Sequence, residues 1–332
     1  MASALACSGL ARLVLAVRPS LGAYVAYRVL ATITGPAFLG ATVASLGDLY
    51  GRGTQGFTEA TSTVQRYALL AMITGSYLGR LVKSPRTAFV ACGTLQLASV
   101  GMLAVAVQET LPVRRKMDWS LRGLNPAATV AVYGCNRALG SLAVLATLRE
   151  LSIYLNINAV YRRQRFDAYG REQESTELIL LQVFSFLGTF LRVPLMNGIG
   201  LRGATRLHGW CEAAAMLNSA LAPRMELLYL NPVMSLLQCG GLSVERCLQQ
   251  EAALAGVGQG ELGAAEAKRT FLPSLLMPNV FTAIYTRLSD TAPAAPYLLA
   301  AALALLSSEA ATPWAFGRLS PAVREMAKAQ GR

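Results

Sequence analysis

AAPYLLAAALALLS, residues 294–307, contains no charged side chain, and its continuation to residue 316 adds one, Glu309. Such a stretch reads as a helix made for an apolar solvent. A bilayer core about 30 Å thick is crossed by about twenty apolar residues in helical form. Comparable stretches lie near residues 2–17, 21–47, 60–80, 86–107, 129–160, 177–200, 206–223, 225–244 and 264–288, with the last at 294–316. One of them would fit inside a soluble domain. About ten in one chain do not, so the expected fold class is all-α, a polytopic membrane helix bundle.

Composition agrees. Apolar residues make up 54% of the 332 and charged residues only 14%, against about 25% charged in soluble domains. The formal net charge of +12 belongs largely to arginines and lysines at span ends. Snorkelling and the positive-inside bias explain that placement, so no nucleic-acid partner is expected. The chain is expected to face membrane lipids. The six cysteines include no CxxC pair, and His208 is the one histidine. Zinc sites and Ser-His-Asp catalysis are poorly supported on that inventory. No nucleophile–base spacing stands out either, and neither an enzyme nor a cofactor is expected.

Short turns such as RPS at 18–20, KSPR at 83–86 and DTAPAAP at 290–296 separate the spans. Two connections are longer. QETLPVRRKMDWSLRGLNP at 108–126 clusters Arg114, Arg115, Lys116 and Arg122, and YRRQRFDAYGREQESTE at 161–177 is also basic. The first divides the chain into an N-terminal bundle (1–112), a basic central loop (113–126), a C-terminal bundle (127–318) and a polar tail (319–332). With one span between them the two basic loops face opposite sides. Both are read as interfacial charge, with lipid-headgroup binding second. All four aspartates, Asp48, Asp118, Asp167 and Asp290, read as loop residues. Residues 1–20 read either as a transit or signal segment or as a short membrane helix containing Arg12.

Ionisable residues within spans are expensive and are functional candidates by default. Glu150 is the carboxylate nearest a span centre. Thr147, Glu150, Tyr154 and Asn158, spaced three, four and four apart, share one face if their span is a continuous helix. That stripe reads as a substrate or proton pathway, or as a structural pair of Glu150 with Arg28 or Arg192, while Arg149 points elsewhere. Glu212 and Glu309 rank below Glu150. Arg66 and Arg137 read as span-end arginines, and His208 with Trp210 as an interfacial anchor. Gly75 and Gly79 have the small-xxx-small spacing that lets helices approach closely. Pro273 and Pro278 predict a kink in their helix.

With the spans placed, three stretches resemble the major facilitator superfamily. YRVLATITGPAFLGATVASLGDLYGRGTQGF at 27–57 is similar to its fourth helix and following loop, with Arg28 opening and Asp48 and Arg52 closing it. AMITGSYLGRLV at 71–82 resembles the fifth-helix antiporter motif, with Gly75 and Gly79 matching and Ser76 and Arg80 departing. GVGQGELGAAEAKRTFLPSLLMPNVFTAIYTR at 256–287 resembles the eleventh helix of tetracycline-efflux-type members through Gln259, Gly260, Gly263, Pro278, Phe281 and Tyr285. The resemblance implies secondary transport of a small organic solute, proton-coupled efflux by alternating access, with Arg28 serving proton transfer or substrate charge. It also implies that residues 2–17 are a third helix and that the first two are missing. GIGLRGATR at 198–206 keeps Gly198, Arg202 and Arg206 of the family's GxxxDxxGRR loop without its acid. An incomplete N-terminal half implies a partner chain that completes the bundle, or else a membrane scaffold that does not transport or a truncated transporter remnant.

Overall fold

The computed structural model describes residues 2–82, 84–106 and 127–329, and all regular structure among them is helical. The basic central loop at 113–126, with its four cations and Asp118, lies outside the described residues.

The N-terminal group is α1 (Ala2–Val17), α2 (Leu21–Tyr50), α3 (Gln55–Leu81) and α4 (Pro85–Ala106). Side chains set the entries. Ser20 Oγ accepts from Ala23 N at 3.1 Å, and Thr54 Oγ1 accepts from Phe57 N at 3.1 Å, each satisfying a donor that a helix start leaves orphaned. Asp48 falls inside the last turn of α2 and not in a loop. α1 and α4 pack antiparallel through Gly9 and Gly93: a β-carbon on Gly9 would touch Leu97, and one on Gly93 would touch Leu13. Tyr27 of α2 meets Phe89 of α4 edge-on. Leu95, Met102 and Val105 of α4 are largely exposed apolar residues, as expected of a lipid-facing surface.

The C-terminal group is α5 (Ala127–Gly134), α6 (Arg137–Ile153), α7 (Asn158–Arg165), α8 (Arg171–Leu221), α9 (Asn231–Met234) between two 3-10 turns, α10 (Gly240–Leu254), α11 (Gln259–Leu288), α12 (Ala295–Leu306), α13 (Thr312–Gly317) and α14 (Pro321–Ala329). α8 is two helices in sequence, because Gly200 at φ 72°, ψ 165° breaks its course. That region of backbone space is essentially confined to glycine. Among the described residues four segments are long and apolar enough to cross a membrane: Arg137–Arg165, Arg171–Leu221, Met225–Leu254 and Ala295–Gly317.

Two expected spans and the expected tail depart from plan. The 129–160 span breaks at Cys135–Asn136, where Asn136 Oδ1 caps α6 by accepting from Ala138 N at 2.9 Å. It breaks again over Tyr154–Ile157. The 225–244 span starts as short 3-10 and α turns, and its regular helix begins only at Gly240. Asn218, Ser219 and Asn231 hold that irregular backbone through hydrogen bonds of 2.7–2.8 Å. The 319–332 tail, read as polar, contains α14, which buries Val323 and Ala327 in the main core. Glu251, fully buried, joins α14 to α6 by accepting from Ser320 N at 2.7 Å and Asn136 Nδ2 at 3.2 Å.

Close helix approach occurs at glycines other than those expected. No described atom lies within 4 Å of a β-carbon built on Gly75 or Gly79, so neither is a packing glycine here. On Gly188 a β-carbon would sit 2.8 Å from Leu236 O and 3.0 Å from Leu236 Cα, both backbone. Gly188→Ala is therefore expected to destabilise the protein by about 1–3 kcal/mol, read as a lowered unfolding midpoint in detergent, whereas Gly75→Ala, mid-helix with open space beside it, should raise the midpoint slightly.

Candidate functional site

Two seams join the N- and C-terminal groups: α2 against α11, and α3 against α8. The α3–α8 pair is antiparallel, since Arg80 reaches Ser175 and Thr176 (2.7 and 3.0 Å) while Arg66 reaches Thr189 (3.2 Å). At one end the turn after α2 is clamped to α10 and α11. Arg52 Nη1 donates to Val257 O at 2.6 Å, Gln250 Nε2 to Arg52 O at 2.7 Å, and Arg246 Nε to Gly53 O at 2.8 Å. Gly47 lies against the buried Gln259 side chain, and Gly53 has φ 63°. Of the fourth-helix motif, Arg52 thus bridges the two groups, and Asp48 is exposed.

The C-terminal group holds a dense cluster of buried charge. Arg269 of α11 pairs with Glu150 of α6 at 2.9 Å and with Glu266 of α11 at 2.7 Å. Tyr133 of α5 donates to Glu266, and Glu245 of α10 faces the same charges while accepting from Gln249 Nε2 at 2.7 Å. Two carboxylates therefore pair with one guanidinium and a third, Glu245, lies within electrostatic reach, so the charge balance of the cluster changes with every proton it holds. Glu150 Oε2 and Arg269 Nη1 are buried without a partner. Low dielectric makes such partly satisfied groups costly, which is the usual condition of a site that works by changing its pairing.

Sequence reasoning picked Glu150 and missed its partners. The structure pairs it with Arg269 and with neither Arg28 nor Arg192. Arg28 is an exposed residue of α2. Lys268, Arg269 and Glu266, near the start of the 264–288 span, drew no reading from the sequence. Their i,i+3 spacing, which puts Glu266 and Arg269 on one helix face, was the available signal. The expected four-residue stripe is also broken. Thr147 and Glu150 stand on α6, but its last residue is Ile153, so Tyr154 follows its end and Asn158 begins α7. Asn158 instead accepts from Tyr297 at 2.7 Å and donates to Leu155 O at 3.2 Å, covering a carbonyl that the break exposes. Beside it Asn156 Nδ2 reaches Thr282 Oγ1 of α11 at 3.3 Å. Irregular backbone at membrane depth persists where it is buried in protein or lines a cavity.

A second buried cluster lies behind the first. Ser152 Oγ donates to Glu212 at 2.6 Å, and His208 Nε2 is 3.8 Å from the same carboxylate. His208 Nδ1 accepts from Gly240 N at 3.2 Å, and Arg149, 7% exposed, points toward Glu212. His208 is thus an interior residue and not an interfacial anchor. Its neighbour Trp210 is exposed and donates to Glu309 at 2.7 Å, beside the Arg206–Glu309 ion pair at 2.5 Å. Arg137 is exposed at the start of α6. Arg66 is no span-end residue, for it stands eleven positions beyond the first residue of α3 and turns into the seam. Gln259 is buried, Gly260 has open space beside it, and Pro278 lies within α11, where Phe281 and Tyr285 are buried. No group of three potential metal ligands occurs among the described residues. An open cleft of about 460 Å³ lies away from both clusters, at the Gly200 bend between Arg202, Arg206 and Lys328.

No protein-family model matches the sequence, and no curated protein sequence matches it. Solved structures do. The human organic anion transporter MFSD10 (TETRAN) aligns with TM-score 0.74 at 17% identity, over 92% of this chain and 75% of that one. The E. coli fucose:proton symporter FucP aligns with TM-score 0.58 at 13% identity, over 93% of this chain and 82% of that one. The chain has a major facilitator fold. Within that fold the two seams are where two helix bundles meet, and the Glu150–Arg269 cluster belongs to the second bundle.

Proposed function

We propose that the chain carries out secondary active transport of a small organic solute, coupled to protons and directed outward, by rocking one bundle against the other. The observation that carries this reading is the Glu150–Arg269 ion pair, held at 2.9 Å in the membrane interior with a surplus of carboxylates around it. Glu150 is on α6 and Arg269 on α11, so the pair ties those helices together. A proton on Glu150 loosens the tie while Glu266 keeps hold of Arg269. α11 also forms the α2 seam, where Gln259 lies under Gly47. A change in how α11 sits on α6 therefore reaches the contact between the bundles. Arg28, Thr147, Tyr154 and Asn158 are proposed to border the solute's route along α2, α6 and α7.

The test is flux in proteoliposomes under an imposed pH gradient. Glu150→Gln is expected to abolish pH-dependent solute movement, by a hundredfold or more, while the protein inserts normally. Unchanged pH-dependent flux in that variant removes Glu150 from the mechanism.

A second reading, a membrane scaffold that does not transport, draws support from the hydrogen bonds that fasten the α3–α8 seam from Arg80 to Arg66 and the α2 turn to α10. Cysteines placed across those seams separate the two. A scaffold keeps full function when they are cross-linked, and a transporter stops.

A further inference from the structure

Arg66 and Arg192 are two guanidinium groups with no counter-charge among the described residues. Neither has a carboxylate within ion-pair distance among the described residues, whereas Arg162 holds Glu177 and Arg269 holds Glu150 and Glu266. Arg192 Nη1 donates to Gln65 Oε1 across the seam, and its Nε is buried with no partner. Arg66 donates to Thr189 Oγ1 at 3.2 Å and to Thr189 O at 3.4 Å, and lies over the Phe190 ring at 4.3 Å. All of these contacts join α3 to α8, and Gln65 ties the two cations into one locus.

Depth decides what answers this charge. Gln65 is ten positions beyond the first residue of α3, and Arg192 is eight before the Gly200 break. At 1.5 Å per residue these are about 15 and 12 Å from the helix ends. A lipid headgroup does not reach that depth in a bilayer core about 30 Å thick. Both arginines are half-buried, with Arg192 Nε wholly so, and a partly desolvated charge is costly, a cost that a neutral amide and a hydroxyl repay only in part. A molecule that enters between the bundles is in a position to supply the counter-charge.

We propose that Arg192 and Arg66, with Gln65 and Thr189, form a binding site for the carboxylate of an organic anion at the α3–α8 seam. The guanidinium fork of Arg192 matches a planar carboxylate. Gln65, whose oxygen is taken by Arg192, keeps its Nε2 hydrogens for the ligand. Phe190, stacked under Arg66, gives the organic part of such a solute an apolar wall. The site gives the solute of the proposed transport its chemistry. It rests on that reading for its role and stands independently of it as a binding site.

The experiment uses the full chain in lipid nanodiscs and follows unfolding temperature at constant ionic strength. Benzoate is the probe, benzamide its neutral isostere, and chloride the free inorganic anion. Benzoate is expected to raise the midpoint in a saturable way, and neither benzamide nor chloride to do so. Arg192→Gln should weaken benzoate at least tenfold and Arg66→Gln several-fold, while Arg80→Gln, on the same helix pair, should not change it. Gln65→Glu places a carboxylate on Arg192 from within the chain. That variant should unfold at a higher temperature than the natural protein and lose the benzoate response, which keeps the test open if Arg192→Gln does not fold. An equal response to benzamide or chloride, no response to benzoate, or an undiminished benzoate response in Gln65→Glu overturns the site. A protein that binds benzoate as expected but moves no solute keeps the site and loses the transport reading.

Discussion

Arg269→Leu is expected to lower the stability of the C-terminal bundle by about 3–5 kcal/mol, the range seen when one partner is taken from a buried ion pair. The reason is what remains. Glu150, Glu245 and Glu266 would then share an apolar interior with no guanidinium among them. The loss comes less from two hydrogen bonds than from carboxylates left unpaired in a low dielectric. The triple variant Glu150→Gln, Glu266→Gln, Arg269→Leu removes both ion pairs and should recover most of the loss. Unfolding in detergent, followed by tryptophan fluorescence, measures both. Equal stability of the natural protein and Arg269→Leu would mean that the cluster is solvated and would remove it from the transport reading. The comparison also separates stability from coupling, because the triple variant should fold and yet move no solute in response to pH.

The second large effect is expected at Gly53. Its φ of 63° lies in the left-handed region, which costs a residue with a β-carbon about 1–2 kcal/mol. That carbon would also sit 2.8 Å from Arg246 O on α10. Gly53→Ala must push the turn off α10, and three contacts go with it: Arg246 Nε to Gly53 O, Gln250 Nε2 to Arg52 O, and Arg52 Nη1 to Val257 O. The clamp between the bundles should then open at that end. A Gln259→Cys reporter, buried in the closed seam, is expected to resist a water-soluble maleimide in the natural background and to react at least tenfold faster with Gly53→Ala. Equal labelling rates would show that the turn does not gate this end. Both expectations involve α11, whose first turn sits at the α2 seam and whose Arg269 lies two turns further along.

Much of the fold is legible in the sequence because the bilayer imposes a strong and simple constraint. Helices α1, α2, α3, α4 and α11 begin and end within a few residues of the expected spans, since apolar length and polar turns are local properties. The candidate site is legible only in part. Glu150 stands out because a carboxylate in an apolar run is visible by itself. Its pairing does not, since Arg269 is 119 positions away and only the packing of α11 on α6 brings them together. The stripe from Thr147 to Asn158 is lost for a similar reason. Periodicity assumes a continuous helix, and the break over Tyr154–Ile157 is held by long-range partners, Tyr297 and Thr282. The packing glycines were misplaced too. A glycine's spacing along one helix does not say whether a neighbour is there, and at Gly75 and Gly79 no described atom is.

Hydropathy alone thus determined that this chain is a helical membrane protein, because the cost of an unsatisfied backbone in lipid leaves little other choice. The motif stretches near Arg52 and Gln259 stood out in the sequence as family-like, and the structure places both at the contact between the two bundles. Tertiary structure alone decided which charges meet: Arg269 with Glu150 and Glu266, His208 with Gly240 and Glu212, and Arg66 and Arg192 with no acid among the described residues. The physical reason is that burial is a one-residue property written in composition, whereas compensation of a buried charge is a property of pairs, fixed only when distant helices are brought together.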